Sequence, residues 1–254
     1  MDVGPRAMSH AQRMDLSREI ADRARARYGD RIVAIGIYGS VARGMDGPFS
    51  DIEMLCVLRT VGEEFSIEWA TGPWKAEVDF SSEDVVLREA ATIEGTWPLT
   101  HGAFLTVLPL FDPERFFERL RDVVTGQPVE KFHAAIEETL VGELYEFVGK
   151  LRNARAEGNT AYIPELAVSM ARYGAYVLGL AHRHTYSTGS QVLAEALMLP
   201  ERPDGLDTLC RLVMSGSLAD PEAVAAAVEA CWSGLVAWAD LHGFRMTETR
   251  RIPF

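Results

Sequence analysis

From Ile32 to Tyr38 the chain is an unbroken apolar run, Ile-Val-Ala-Ile-Gly-Ile-Tyr, with β-branched side chains recurring along it. Such a run suits a strand buried on both faces better than a helix. A second apolar run, Asp51 to Leu58, predicts another strand, and 63–70 and 74–80 read as two more, joined by the hairpin signal Thr71-Gly-Pro. In the run from 74 to 80, Lys75, Glu77 and Asp79 alternate with Trp74, Ala76, Val78 and Phe80, which puts charge on one face and apolar bulk on the other. The stretch Phe104–Phe111 predicts a further strand. Around these lie helical patterns. Ser9 and Gln12 fit a capping box, Met14, Ile20, Ala21 and Ala24 follow at helical spacing, and Gly29 supplies a stop. Ser81 or Ser82 fits the cap of a helix running to about Ile93, and Asp112-Pro113 starts a short one ending near Gly126.

Beyond Gly126-Gln-Pro128 the periodicity turns helical almost throughout, over 129–157, 164–184, 188–199, 204–215 and 221–242. Strands followed by a run of helices predict an α+β domain over 1–127 joined to a helical-bundle domain over 128–254.

Composition narrows the possibilities. Of 254 residues 48% are hydrophobic, enough for an ordinary packed core. The net charge of −12 argues against a surface built to bind nucleic acid; it suits a cationic partner and mere solubility about equally. Cys56, Cys210 and Cys231 are widely spaced, without a Cys-x-x-Cys pair, and read as buried free thiols in a reducing compartment. The first residues hold no apolar leader and no uninterrupted apolar run is long enough to span a bilayer, so the expectation is a cytoplasmic protein without a membrane partner.

The stretch Gly39–Glu53 concentrates the candidate chemistry. Glycine lets a backbone approach a bulky anion closely, so the Gly39-Ser40 turn after a buried strand is a candidate phosphate cradle. Past a second turn at Asp46-Gly-Pro, Asp51 and Glu53 stand two apart on a strand and project from one face, where they repel unless a cation or a proton lies between them. Taken singly, the first is an ordinary turn and the second the wet face of an edge strand. Together they place a phosphate site beside a metal clamp.

That arrangement resembles the nucleotidyltransferase superfamily related to DNA polymerase β. Further blocks, Ile35-Gly-Ile-Tyr-Gly-Ser40, Asp46-Gly-Pro-Phe-Ser-Asp-Ile-Glu-Met54, Trp97-Pro-Leu-Thr-His-Gly102, Glu143-Leu-Tyr-Glu-Phe-Val-Gly-Lys150, Met214-Ser-Gly216 and Arg251-Ile-Pro-Phe254, are similar to the aminoglycoside 4′-nucleotidyltransferases, also called kanamycin nucleotidyltransferases. The resemblance implies a polymerase-β-like mixed sheet with helices before a helical bundle. It implies Mg²⁺ on Asp51 and Glu53, and nucleotide contacts from Gly39, Ser40, Arg43, Ser50 and Lys150. Glu146 becomes the general base, and Glu68, Lys75, Glu77 and Glu143 the drug-binding residues, with Glu63 and Glu64 as further carboxylates for ammonium groups. Glu77 stays divided between metal and drug. ATP, an aminoglycoside such as kanamycin, tobramycin or amikacin, and a homodimer sharing residues between its sites complete the expectation. Spacing alone reads Glu143, Glu146 and Lys150 as a solvated helical stripe. Gly-Pro-Trp before Lys75, Gly95-Thr96 and Gly142 depart from the family pattern and bear on which drugs fit. The alternatives are a nucleotidyltransferase acting on RNA or protein, and a silent nucleotide-binding module.

Overall fold

The computed structural model describes residues 4–72, 74–247 and 252. Two compact units emerge. One comprises Met1–Thr92 and His101–Gln127, the other Ile93–Thr100 and Pro128–Phe254.

The first unit starts with α1, His10–Tyr28, whose N-cap Ser9 forms a full capping box with Gln12. A turn of 3₁₀ helix leads into β1, Ile32–Ile37, then the single-turn α2, Gly39–Ala42, β2, Ile52–Leu58, the hairpin of β3, Glu64–Thr71, and β4, Trp74–Ser82, and α3, Glu83–Ala90. Two more single turns follow, α4, Trp97–Thr100, and α5, Gly102–Leu105, of which α4 belongs to the other unit. β5, Leu108–Phe111, and α6, Phe116–Thr125, complete the unit.

The sheet order is β3-β4-β2-β1-β5, with β2 and β4 parallel and every other pair antiparallel. All six residues of β1 are buried, as expected for a strand inside the sheet with α1 and α6 packed against it. Its neighbours are antiparallel, so burial on both faces rather than parallel pairing explains the continuous apolar run. The strand expected over Phe104–Phe111 is shorter. Residues 102–105 wind into a helical turn that the Thr106 hydroxyl closes by donating to the Gly102 carbonyl at 2.8 Å, and only 108–111 pair with β1. Short apolar runs fit either conformation, and local hydrogen bonding decides.

The second unit is helical: α7, Val129–Thr139, α8, Tyr145–Glu157, α9, Ile163–Ala181, α10, Val192–Ala196, α11, Leu206–Met214, and α12, Pro221–His242. α9 packs against α4, α7, α8, α10, α11 and α12 and is the centre of this core. Between α7 and α8 the chain does not break. It passes through one wide π turn, Leu140–Leu144, so the helix expected over 129–157 is continuous but widened at its middle. The helix expected over 188–199 contracts to 192–196, because Ser187 donates from both its N–H and its hydroxyl to the Glu195 carboxylate and holds the preceding loop. α12 is long and apolar enough to cross a bilayer, but Val224, Ala225, Val228, Cys231 and Leu235 are fully buried in the bundle. All three cysteines are buried free thiols, and burial pushes Cys56 and Cys210 up to about 12. Of the matched block 251–254, Arg251, Pro253 and Phe254 lie outside the described residues.

Candidate active site

β1 delivers the chain to Tyr38, whose N–H donates to the Glu53 carbonyl at 2.9 Å, and the backbone then turns at Gly39 with φ +69°. That angle strains any residue with a Cβ. A second reason for glycine is steric, since a Cβ at this position would overlap Glu53 Oε2. The turn therefore lies directly against a carboxylate of β2.

Register places more acids beside it. Glu53 pairs with Glu77 on β4, and Glu77 with Glu68 on β3, so the three occupy one row across adjacent strands. Asp79 and Ser66 form the next row, and Asp51 immediately precedes β2. β2 lies between β4 and β1, which excludes the reading of Asp51-Ile-Glu53 as the wet face of an edge strand. Lys75 reaches into the cluster, with Nζ 2.6 Å from Glu68 and 3.6 Å from Asp51. The Tyr38 hydroxyl donates to Asp79 at 2.7 Å, and burial together with that bond pushes the phenol far up.

The electrostatic consequence is a frustrated set of acids. Burial, then Asp51, then Glu77 push the Glu53 carboxyl above the usual carboxylate range, against relief from Arg43 and Lys75. Burial, then Asp79 and Glu68, push Glu77 up as well. These are hard oxygen donors with more negative charge than the nearby cations balance. A divalent cation that takes one or two carboxylates and completes its shell with phosphate oxygens fits them. Among the described residues no three metal-ligating side chains converge into a closed cage. Asp51 and Glu53 are the residues that could hold such a cation in an open site.

Around the turn, Arg43 is half-buried, with a Thr106 contact at 3.4 Å from Nη1, and its buried Nε has no hydrogen-bond partner among the described residues. It is not a solvated surface arginine. Ser40 lies in α2, its carbonyl accepting from Met45 N–H. Ser50 Oγ accepts from Gly47 N–H at 3.0 Å, which leaves the hydroxyl hydrogen free to donate. Glu63 is not part of this group: it pairs with Arg31 at the far end of the strands. Glu64 lies on the same face as Glu68, opposite Ser81.

In the helical unit, Glu146 and Lys150 form an ion pair at 2.7 Å on α8, which holds the ammonium above its ordinary value. Glu143 lies in the π turn and is close enough to add to that shift. Phe147 packs edge-on against Tyr173 beside them. All three polar residues thus share one helical face, in a unit separate from the sheet that carries Asp51 and Glu53.

Other candidates are structural. His101 is buried on the Glu89 carbonyl, and burial lowers its pKa. His182 bonds the Pro200 carbonyl while His184 faces Glu195. Trp232 and Trp238 are buried in the bundle. Tyr38 and Arg13 carried no expectation from the sequence; Arg13 is a fully buried arginine of α1 whose guanidinium holds the loop before β2. The signal for Arg13 was its place in a stripe with Ser17, Ala21 and Ala24, every third or fourth position, all buried.

The chain shares its fold with a nucleotidyltransferase-like protein from Exiguobacterium sibiricum 255-15, at a TM-score of 0.52 and 12% identity over 88% of this chain and 74% of that one. The KNTase C-terminal domain matches residues 114–245. Proteins named aminoglycoside nucleotidyltransferase (4′) from a Bacillus species and from Staphylococcus aureus are each 44% identical over 251 residues, 99% of both chains. With full-length identity of that order and the Gly39 turn set against the carboxylate row, the chain belongs to the aminoglycoside 4′-nucleotidyltransferase family.

Proposed function

We propose that the chain transfers AMP from Mg-ATP to the 4′-hydroxyl of aminoglycosides such as kanamycin, tobramycin or amikacin, releasing pyrophosphate and inactivating the drug. The observation that carries this reading is the placement of Glu53 between the Gly39 turn and the Glu77–Glu68 row, in a chain 44% identical to full-length relatives bearing that name.

Asp51 and Glu53 would hold Mg²⁺, which would supply charge neutralisation at the phosphates. Gly39 and Ser40 offer backbone to the phosphates, Ser50 donates its free hydroxyl hydrogen, and Arg43 supplies a guanidinium with an unused buried donor. Lys150 meets the triphosphate. Glu146 accepts the 4′-hydroxyl proton as that oxygen forms its bond to the α-phosphorus and the bond to the β-phosphate oxygen breaks. The drug is a polycation, and Glu68, Glu77 and Glu143 receive its ammonium groups, with Lys75 orienting the carboxylates it bridges. The raised Glu77 carboxyl relaxes equally well toward an ammonium or a metal, so its role is shared between them.

The protein acts as a cytoplasmic homodimer in which Glu146 and Lys150 of one subunit serve the Asp51 and Glu53 of its partner, with the functional domain boundary near residue 127. Resemblance to the family supports this assembly.

The test is pyrophosphate release from Mg-ATP with kanamycin, beside a kanamycin analogue lacking the 4′-hydroxyl. Release with kanamycin alone supports both reaction and position. Release with both moves the acceptor to another hydroxyl, and release with neither sinks the proposal.

A further inference from the structure

α1 lies outside the Gly39–Glu53 stretch in sequence, yet its second turn controls how that stretch is held. The guanidinium of Arg13, 2% exposed as a side chain, donates Nε to the Ser50 carbonyl at 2.8 Å and Nη2 to the Pro48 carbonyl at 2.6 Å. Nη1 bonds both the Met8 carbonyl at 3.0 Å and Asp46 Oδ2 at 2.9 Å. Asp46, whose side chain is 1% exposed, offers its other oxygen to His10 Nδ1 at 2.6 Å, and Met8 N–H donates to the Pro48 carbonyl at 2.8 Å. One buried fork therefore ties residues 8, 46, 48 and 50 together.

What the fork fixes is the approach to β2. The carbonyls of Pro48 and Ser50 lie outside the sheet ladder, so their partners must come from elsewhere. Arg13 donates to both, and Met8 N–H is a second donor to Pro48. Ser50 is then pinned on every side: its carbonyl by Arg13, its N–H by the Gly47 carbonyl at 3.2 Å, and its Oγ by Gly47 N–H. Asp51 follows in the next peptide. Because Asp46 neutralises the guanidinium at close range, the pair contributes geometry rather than a free positive field.

We propose that Arg13 is a positioning residue for nucleotide and metal, acting through the 46–50 loop to fix Ser50 and Asp51. The proposal rests on the nucleotidyl-transfer reading. A lysine at 13 keeps the charge but presents donors from one point and cannot reach three segments at once. Asp46→Asn removes one leg of the clasp and leaves the arginine, which covers the case of Arg13→Lys failing to fold.

The experiment compares wild type, Arg13→Lys and Asp46→Asn by ATP and drug kinetics, Mg²⁺ titration, calorimetric binding of Mg-ATP, and amide exchange. Displacing positioned groups by about an ångström costs on the order of 100-fold, so the expected result is a 10- to 100-fold (order-of-magnitude) loss in kcat/KM for ATP in Arg13→Lys. A higher Mg²⁺ requirement, an aminoglycoside KM within about twofold of wild type, and faster exchange confined to 44–51 accompany it. A lower melting temperature with unchanged ATP kinetics and Mg²⁺ requirement would mean that Arg13 only stabilises the fold, and overturns the proposal. If wild type transfers no nucleotide to any acceptor, the reaction reading falls separately. Weaker Mg-ATP binding in Arg13→Lys then still supports the positioning role, and equal binding defeats it.

Discussion

Gly39 and Glu53 meet at a distance that admits no side chain: a Cβ on Gly39 would overlap Oε2 and lie 2.9 Å from the carboxyl carbon. Gly39→Ala therefore moves the Glu53 carboxylate and strains a backbone with φ +69°. We expect kcat/KM to fall by about 100-fold or more, the size of effect that small displacements of reacting groups produce, and stability to fall by about 1–3 kcal/mol from backbone strain. Steady-state kinetics beside a thermal melt checks both. Wild-type activity in a folded Gly39→Ala protein would remove the turn from the site.

Neutralising the acids has the opposite effect on stability. Glu53 stands beside Glu77 in the parallel register of β2 and β4, and like charges so placed repel. Asp51→Asn and Glu53→Gln are expected to abolish turnover while the metal-free protein melts no lower than wild type. Mg²⁺ should raise the melting temperature of wild type and not of Glu53→Gln. An unaltered turnover rate in either variant would refute the metal assignment.

The same pair sets a pH dependence. Both folded-state carboxyls are held above their ordinary values by burial and neighbouring acids, so the folded chain binds more protons than the unfolded one just above the usual carboxylate range. Their contribution to metal-free stability is fully present below the unfolded pKa and is lost as pH rises through the folded pKa. Denaturant melts across that window should show stability from this source falling with pH, and Glu53→Gln should flatten the slope.

Glu146→Gln is expected to leave Mg-ATP affinity near normal and slow the transfer step by about 100-fold, as for loss of a general base. Single-turnover kinetics separates the two. Weakened ATP binding with normal chemistry would instead assign Glu146 to the nucleotide.

Mixing inactive variants tests the shared site. In heterodimers of Asp51→Asn and Glu146→Gln, a site built across subunits carries both lesions on one side and neither on the other, so random reassociation should restore about a quarter of wild-type activity. A mixture that stays inactive after demonstrated subunit exchange places each site within one chain.

Much of this architecture was legible before the structure. β1 and β2 were marked by unbroken apolar runs, and the β3–β4 hairpin by Thr71-Gly and the alternation around Glu77. The cluster at Gly39, Asp51 and Glu53 was legible because a positive-φ turn and a period-two acid pair each leave a local trace. What stayed hidden depended on contacts distant in sequence. Arg13 is a charged residue in a helix otherwise rich in charge, and its burial is explained by partners at residues 8, 46, 48 and 50, most of them distant in sequence. The row Glu53–Glu77–Glu68 needs the parallel register of β2 and β4, which neither strand encodes alone. The loop at 187–190 displaced a predicted helix through a Ser187–Glu195 clasp that periodicity does not register.

The wide turn at Leu140–Leu144 has a consequence for how such a protein can diversify. A π turn carries one residue more than the α-helical winding it interrupts, and each residue of helix turns the chain by about 100°. Deleting one residue there, with Gly142 the most expendable because it is exposed and no other atom lies near where its Cβ would be, would leave the rod from 129 to 157 unbroken. Because the wide turn takes up the extra residue locally, the face bearing Glu146 and Lys150 and the buried positions Leu144, Val148, Leu151 and Ala154 would keep their directions. A single codon gained or lost at this point is thus absorbed inside one turn, while the polar groups beyond it and the packing of the bundle stay in phase.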